Sequence, residues 1–164
     1  MRNADAKHIA VFALLTALAL TLSWVESLIP LSLAVPGIKM GLPNITVVFA
    51  LYRLRAYDAA GIALLRAALA VLLFGNLFSL AYSAAGAALS LAVMLGLKRT
   101  GAFGLTAVSV AGAVAHNLGQ LAVAVVLLET GRLIFYLPAL IVSGVAAGLC
   151  VGLLSALLVK RVKY

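Results

Sequence analysis

Pro36-Gly37-Ile38-Lys39-Met40-Gly41-Leu42-Pro43-Asn44 is the stretch on which the fold turns. Proline removes an amide donor and clashes with the turn before it, and glycine favours turn backbone, so Pro36-Gly37 and Gly41-Leu42-Pro43 interrupt any continuous helix. Lys39 and Asn44 set polar groups in an otherwise apolar neighbourhood. Long uncharged runs lie on both sides. A broken, partly polar segment between such runs is expected to be a re-entrant or capping loop at the mouth of a membrane bundle.

Composition supports that setting. The 164 residues are 66% hydrophobic and 10% charged, with a mean hydropathy of +1.24, which cannot cover a water-facing surface. One polytopic membrane domain spanning residues 1–164 is expected. The net charge of +8 falls in short hydrophilic breaks rather than in a basic patch, so nucleic acid is not an expected partner. The single Cys150 excludes an intrachain disulfide and a cysteine-based metal site, and is expected to pack as a small apolar side chain.

Outward from the loop, Ile9 to Val25 is an uncharged run of 17 residues preceded by Arg2, Lys7 and His8. Further spans follow it without a small-residue cleavage site, so it is predicted to be an uncleaved first helix reaching about Ile29. After the loop, Met40 to Tyr52 gives roughly 20 Å of helix, short of a hydrocarbon core of about 30 Å. Such a helix is tolerated when protein shields it. Arg53 and Arg55 close it, and Asp58 opens the next helix as a first-turn acid. The 31 uncharged residues from Ala67 to Leu97 are too long for one span. A tight turn near Gly75-Asn76 divides them, giving helix three at about 58–75 and helix four at about 77–97. Helix five is expected at about 103–128, and helix six at about 133–159.

The charges then orient the bundle. With the N-terminus inside, cytoplasmic segments hold Arg2, Lys7, Arg53, Arg55, Lys98, Arg99, Lys160, Arg161 and Lys163, and outer segments hold Lys39 and Arg132. That is a strong positive-inside asymmetry. The predicted fold is therefore all-α, with six transmembrane helices and both termini cytoplasmic. The expected location is the cell membrane, the cytoplasmic membrane of a bacterium.

Polar residues within the spans mark candidate sites. Arg66 falls near the middle of helix three, where a charge costs about 3 kcal/mol or more and faces a cavity or a partner. It is either a binding group for an anionic or carbonyl-rich ligand or a structural partner of Glu26 or of backbone carbonyls. His116 and Gln120 share a helix face, flanked by Asn117; they form a hydrogen-bonding pocket wall or interhelical glue. Ser79, Ser83, Gly86 and Ser90 make a small, polar stripe on helix four, the mark of close packing. Glu26, Lys39, Asn44, Asn76, Tyr82, His116 and Gln120 all fall in the predicted outer half, with Arg66 near the midplane. One outward-open pocket under the Pro36–Pro43 loop accounts for them together. Gly144, Gly148 and Gly152 are expected to form an internal packing face.

Several chemistries have no residues to carry them. No phosphate-binding glycine-rich motif is present, so ATP hydrolysis is not expected of this chain. Four acids, none clustered, leave no Mg²⁺-diphosphate site, and neither a metal, a cofactor nor a catalytic set is predicted.

The loop Pro36–Asn44, Leu65-Arg66 with Phe74-Gly75-Asn76, Tyr82-Ser83-x-x-Gly86, and Gly112-Ala113-Val114-Ala115-His116-Asn117-x-x-Gln120 resemble the Gx transporter family, also labelled heptaprenyl diphosphate synthase component I. The resemblance covers nearly the whole chain; Pro43 departs from it, standing where a small residue is expected. That family is similar in size and layout to the substrate-binding S components of energy-coupling factor transporters. The resemblance implies a subunit that captures a small vitamin-like solute from outside. A transmembrane coupling protein and ATPase subunits would then drive release inward, through opening of the 36–43 loop and reorientation of the bundle. It assigns the first loop and outer helix halves to binding, and Ala13-x-x-x-Ala17 to docking of the coupling protein. In that role Arg66 and Lys39 counter negative charge, His116, Asn117 and Gln120 supply hydrogen bonds, and Tyr82 stacks on a flat ring. The alternative is a noncatalytic accessory subunit of an isoprenoid, quinone or membrane redox system, with Arg66 meeting a diphosphate or quinone head group. A purely structural assembly protein is the third reading.

Overall fold

The structure is a computed structural model that describes residues 2–29, 40–74 and 77–162. The described chain forms α1 (Arg2–Ser27), α2 (Asn44–Arg53), α3 (Ala56–Phe74), α4 (Leu77–Thr100), α5 (Leu105–Leu127), a 3₁₀ turn (Gly131–Tyr136) and α6 (Leu137–Arg161). Five of these helical segments are long and apolar enough to cross a membrane. The sixth helix, α2, has ten residues and spans about 15 Å, half of a hydrocarbon core.

The short helix lies at the centre of the molecule. Thr46, Val47, Val48, Phe49, Ala50 and Leu51 are consecutive and all buried, so α2 is covered on every side by α1, α3 and α6. A helix enclosed in this way has no lipid thickness to match. It begins four residues later than the sequence suggests. Asn44, Ile45 and Thr46 donate their amides to the carbonyls of Gly41, Leu42 and Pro43, and Thr46 Oγ1 also bonds the Pro43 carbonyl at 2.8 Å. Pro43 therefore sits just ahead of the helix, where no amide hydrogen is required of it. At the far end, Lys98 Nζ donates to the Leu51 carbonyl, and Arg53 Nη2 donates to the Val159 carbonyl near the end of α6. Both cations meet carbonyls left unsatisfied at helix C-termini.

These contacts bring the Arg53, Lys98 and α6 C-terminal ends together. His8 Nε2 lies 3.1 Å from Asp58 Oδ1, which adds the start of α1 to the same end. Asp58 Oδ2 accepts the Arg55 amide at 3.0 Å, closing the first turn of α3 as a first-turn acid should. The helices thus alternate in direction, and His8 and Arg161 share one end of the bundle.

The second half of the chain packs through small residues. A Cβ on Gly119 would stand 2.8 Å from the Ala85 carbonyl oxygen, and one on Gly148 would stand 2.6 Å from Val110 Cα. Neighbouring backbones at those points touch, so α4, α5 and α6 form a tight sheet of helices. Gly144, Gly148 and Gly152 all face α5, as an internal packing face should, and Ser109 Oγ donates to the Gly148 carbonyl at 3.0 Å. Large apolar side chains cover the outside, Leu72 at 80% exposed and Phe135 at 83% among them. An apolar exterior of this kind is matched to lipid.

Other boundaries shift. α1 reaches back to Arg2, so Lys7 and His8 are helical rather than ahead of the helix. α6 starts at Leu137 because Pro138 fits the first turn of an α-helix, and the residues before it tighten into the 3₁₀ turn. Cys150, expected to pack as a small apolar side chain, is exposed on α6. The expected turn at Gly75-Asn76 lies outside the described residues.

Candidate functional site

α3 carries Arg66 into the bundle near its midpoint, because Ala59, Ile62, Ala63 and Ala67 on its inner face are buried. The guanidinium is poorly provided for. Nη1 reaches Ser23 Oγ at a long 3.4 Å, and Nε is buried with no hydrogen-bond partner among the described residues. An arginine has five N–H donors, and a buried charged donor left unpaired is costly. Arg66 faces a cavity of about 40 Å³ that is also lined by Glu26, Gly41, Asn44, Ser83, His116, Asn117 and Gln120.

Each neighbour is positioned by a separate contact. Glu26, at the end of α1, accepts the Gly41 amide through Oε1 at 2.6 Å. Gly41 has φ +71°, a left-handed conformation that costs an L side chain strain. That turn aims its amide at the carboxylate and leads the chain through Pro43 to Asn44 at the cavity wall. His116 and Gln120, one turn apart on α5, lie against Gly86 of α4, where a Cβ would stand 3.0 Å from both. Asn117 Nδ2 donates to the Leu140 carbonyl at 2.8 Å, pinning α5 to α6.

A second, larger space adjoins the first. About 300 Å³ in volume, it lies between α4, α5, the 3₁₀ turn and α6, lined by Ser79, Tyr82, Leu121, Ala124, Leu128, Leu133, Tyr136 and Leu140, mostly apolar groups. Ser83, Asn117 and Gln120 border both spaces.

Six of the predicted site residues, Glu26, Asn44, Arg66, His116, Asn117 and Gln120, therefore meet round one cavity. Tyr82 lines the neighbouring chamber rather than this cavity. Lys39 and Asn76 lie outside the described residues, as does most of the Pro36–Pro43 loop. Of the four-residue stripe on α4, Ser79 and Ser83 face the cavities while Gly86 and Ser90 are buried against α5. Ala13 and Ala17 are exposed on α1, opposite the buried Leu15, Thr16 and Ala19. Sequence reasoning missed the chamber's leucines, whose type matches the lipid-facing surface. The aromatic Tyr136 beside Pro138 is the signal that could have suggested a structured rim. Among the described residues no three of His, Cys, Asp or Glu come together as metal ligands do.

Fold and site together define a helical, multi-pass membrane-type protein that encloses a small polar cavity beside an apolar chamber. Residues 15–158 match the family of heptaprenyl diphosphate synthase component I, and the chain belongs to that family. No curated protein and no solved structure matches it.

Proposed function

We propose that the protein is a non-enzymatic membrane subunit that captures a small vitamin-like solute and passes it inward with the help of separate coupling and ATPase subunits. The observation that carries this reading is the set of polar side chains from α1, α3 and α5 around one cavity, with an arginine whose Nε has no partner among the described residues. Ion-pair glue would satisfy its own groups; a binding site keeps donors for its ligand. The cavity lies at the end of the bundle away from His8 and Arg161, which under positive-inside orientation is the outer half. Ala13 and Ala17, exposed on α1, are the proposed docking face for the coupling protein.

A second reading is favoured by the apolar chamber and by the family name, which speaks of one component of a prenyl diphosphate synthase. Here the chain is a noncatalytic accessory that holds a lipid-like molecule. Affinity capture of the tagged chain from mildly solubilised native membranes separates the two. Solute capture predicts a membrane coupling protein and an ATPase pair, lost on Ala13→Leu/Ala17→Leu. Recovery of a soluble prenyl-transferring subunit, with no ATPase, overturns it in favour of the accessory reading.

A further inference from the structure

We infer that the polar cavity and the α4–α5–α6 chamber are two halves of one site, and that its ligand is an amphiphilic monoanion: one compact, singly charged group on an apolar body. The inference rests on the reading of the Arg66 cavity as a binding site, and goes on to name the chemical class bound there.

Size comes first. About 40 Å³ admits roughly three waters, which is room for one carboxylate-sized group and not for a whole organic solute. About 300 Å³ lies at the lower bound for pockets that enclose an organic ligand. The small space alone cannot hold a metabolite and the large one is just big enough for a small organic body; the two share a wall. Of the three residues bordering both, Asn117 is held by its bond to the Leu140 carbonyl, so Ser83 and Gln120 form the threshold between them.

Polarity divides along the same threshold. The small space gathers Arg66, Glu26, Asn44 and His116. The large one presents Leu121, Ala124, Leu128, Leu133 and Leu140 with two tyrosines at 82 and 136. A ligand with its head in the first and its body in the second buries like against like.

Charge sets the valence of the head. Among the described residues Arg66 is the one Lys or Arg lining the cavity, and its Nε is unpartnered there. Glu26 stands in the same cavity with Oε1 already taken by the Gly41 amide. A head with one negative charge can pair with the open edge of Arg66. A second negative charge would face Glu26 in a low-dielectric site with no further arginine or lysine lining it among the described residues, and would be repelled. Glu26 therefore favours a singly charged head over a diphosphate. The body could come from water, as an aromatic acid, or from the bilayer, as an isoprenoid acid; both have the chemistry described.

Calorimetric titration of the full chain in lipid nanodiscs tests this with four probes: acetate, 2-naphthoate, 2-naphthyl phosphate and farnesoate. The expected result is that 2-naphthoate or farnesoate binds at least tenfold more tightly than acetate, and that 2-naphthoate binds more tightly than the more highly charged 2-naphthyl phosphate. Preference for 2-naphthoate indicates an aqueous source, and preference for farnesoate a bilayer source. Ala124→Trp, which fills the chamber, should remove the tenfold gain; Arg66→Gln should weaken every anion. Should Ala124→Trp fail to fold, Leu121→Ala widens the chamber and should shift preference from 2-naphthoate toward the bulkier 9-anthroate. The inference is overturned if no amphiphile outbinds acetate, if the phosphate outbinds the carboxylate, or if neither chamber variant changes selectivity. Those failures leave partner capture by the ATPase pair unaffected, so they are distinguishable from failure of the solute-capture reading.

Discussion

Arg66 is the residue on which structure and function divide most clearly. A structural arginine at this depth would repay its desolvation through a close ion pair and several hydrogen bonds. Here it has one bond of 3.4 Å to Ser23, with Glu26 lining the same cavity, and its Nε has no hydrogen-bond partner among the described residues. Arg66→Met should therefore leave the ligand-free protein as stable as wild type or more so, by thermal unfolding in detergent. A structural role instead predicts a loss of about 3–5 kcal/mol, the cost of breaking a buried pair. Glu26 behaves differently, since its carboxylate holds the Gly41 amide at 2.6 Å. Glu26→Ala should destabilise by about 1.5–3 kcal/mol and Glu26→Gln by much less, because glutamine keeps an acceptor. These polar positions were legible in the sequence because each is expensive in lipid and needs a reason. The Leu121–Leu140 side of the site was not, since a leucine facing a chamber and one facing an acyl chain look the same. Nor could the sequence tell that the Asn117 amide is committed to the Leu140 carbonyl while Gln120 borders both spaces.

Among the elements, α2 and the α4–α5–α6 layer do the positioning. The prolines announced that the chain breaks before α2, and its shortness followed from the run Met40 to Tyr52 closed by Arg53, although the helix itself starts only at Asn44. Its central burial by α1, α3 and α6 depends on contacts distant in sequence, which no local pattern encodes. Gly144, Gly148 and Gly152 were readable as a close-packing face because their spacing repeats on one side of a helix. Gly148→Val should be strongly destabilising, by about 1–3 kcal/mol or more, since the new Cβ would meet Val110 backbone at 2.6 Å, which cannot swing aside. Gly96→Ala offers the contrast within α4. Among the described residues nothing lies within 4 Å of its added Cβ, so the variant should gain about 0.5–1 kcal/mol from helix propensity alone. Thermal unfolding of the two proteins side by side checks whether space, rather than residue type, governs the glycines.

For the whole molecule, the contacts of His8 with Asp58, Arg53 with Val159 and Lys98 with Leu51 bring both described ends of the chain to one end of the bundle. The nine-to-two division of basic residues in the sequence predicts that this end is cytoplasmic. Single cysteines at Lys160 and Arg132, in a Cys150→Ser background, should react with an impermeant maleimide from the inner and the outer face respectively. Reaction of both from one face would refute the alternation. The solute-capture account itself stands or falls on what occupies the Arg66 cavity. Denaturing extraction and mass spectrometry of the detergent-purified protein, wild type beside Arg66→Ala, tests it most directly. The account predicts a small organic molecule near one per chain in the wild type and its loss in the variant. The same molecules in equal amount from both proteins, or none from either, would contradict it.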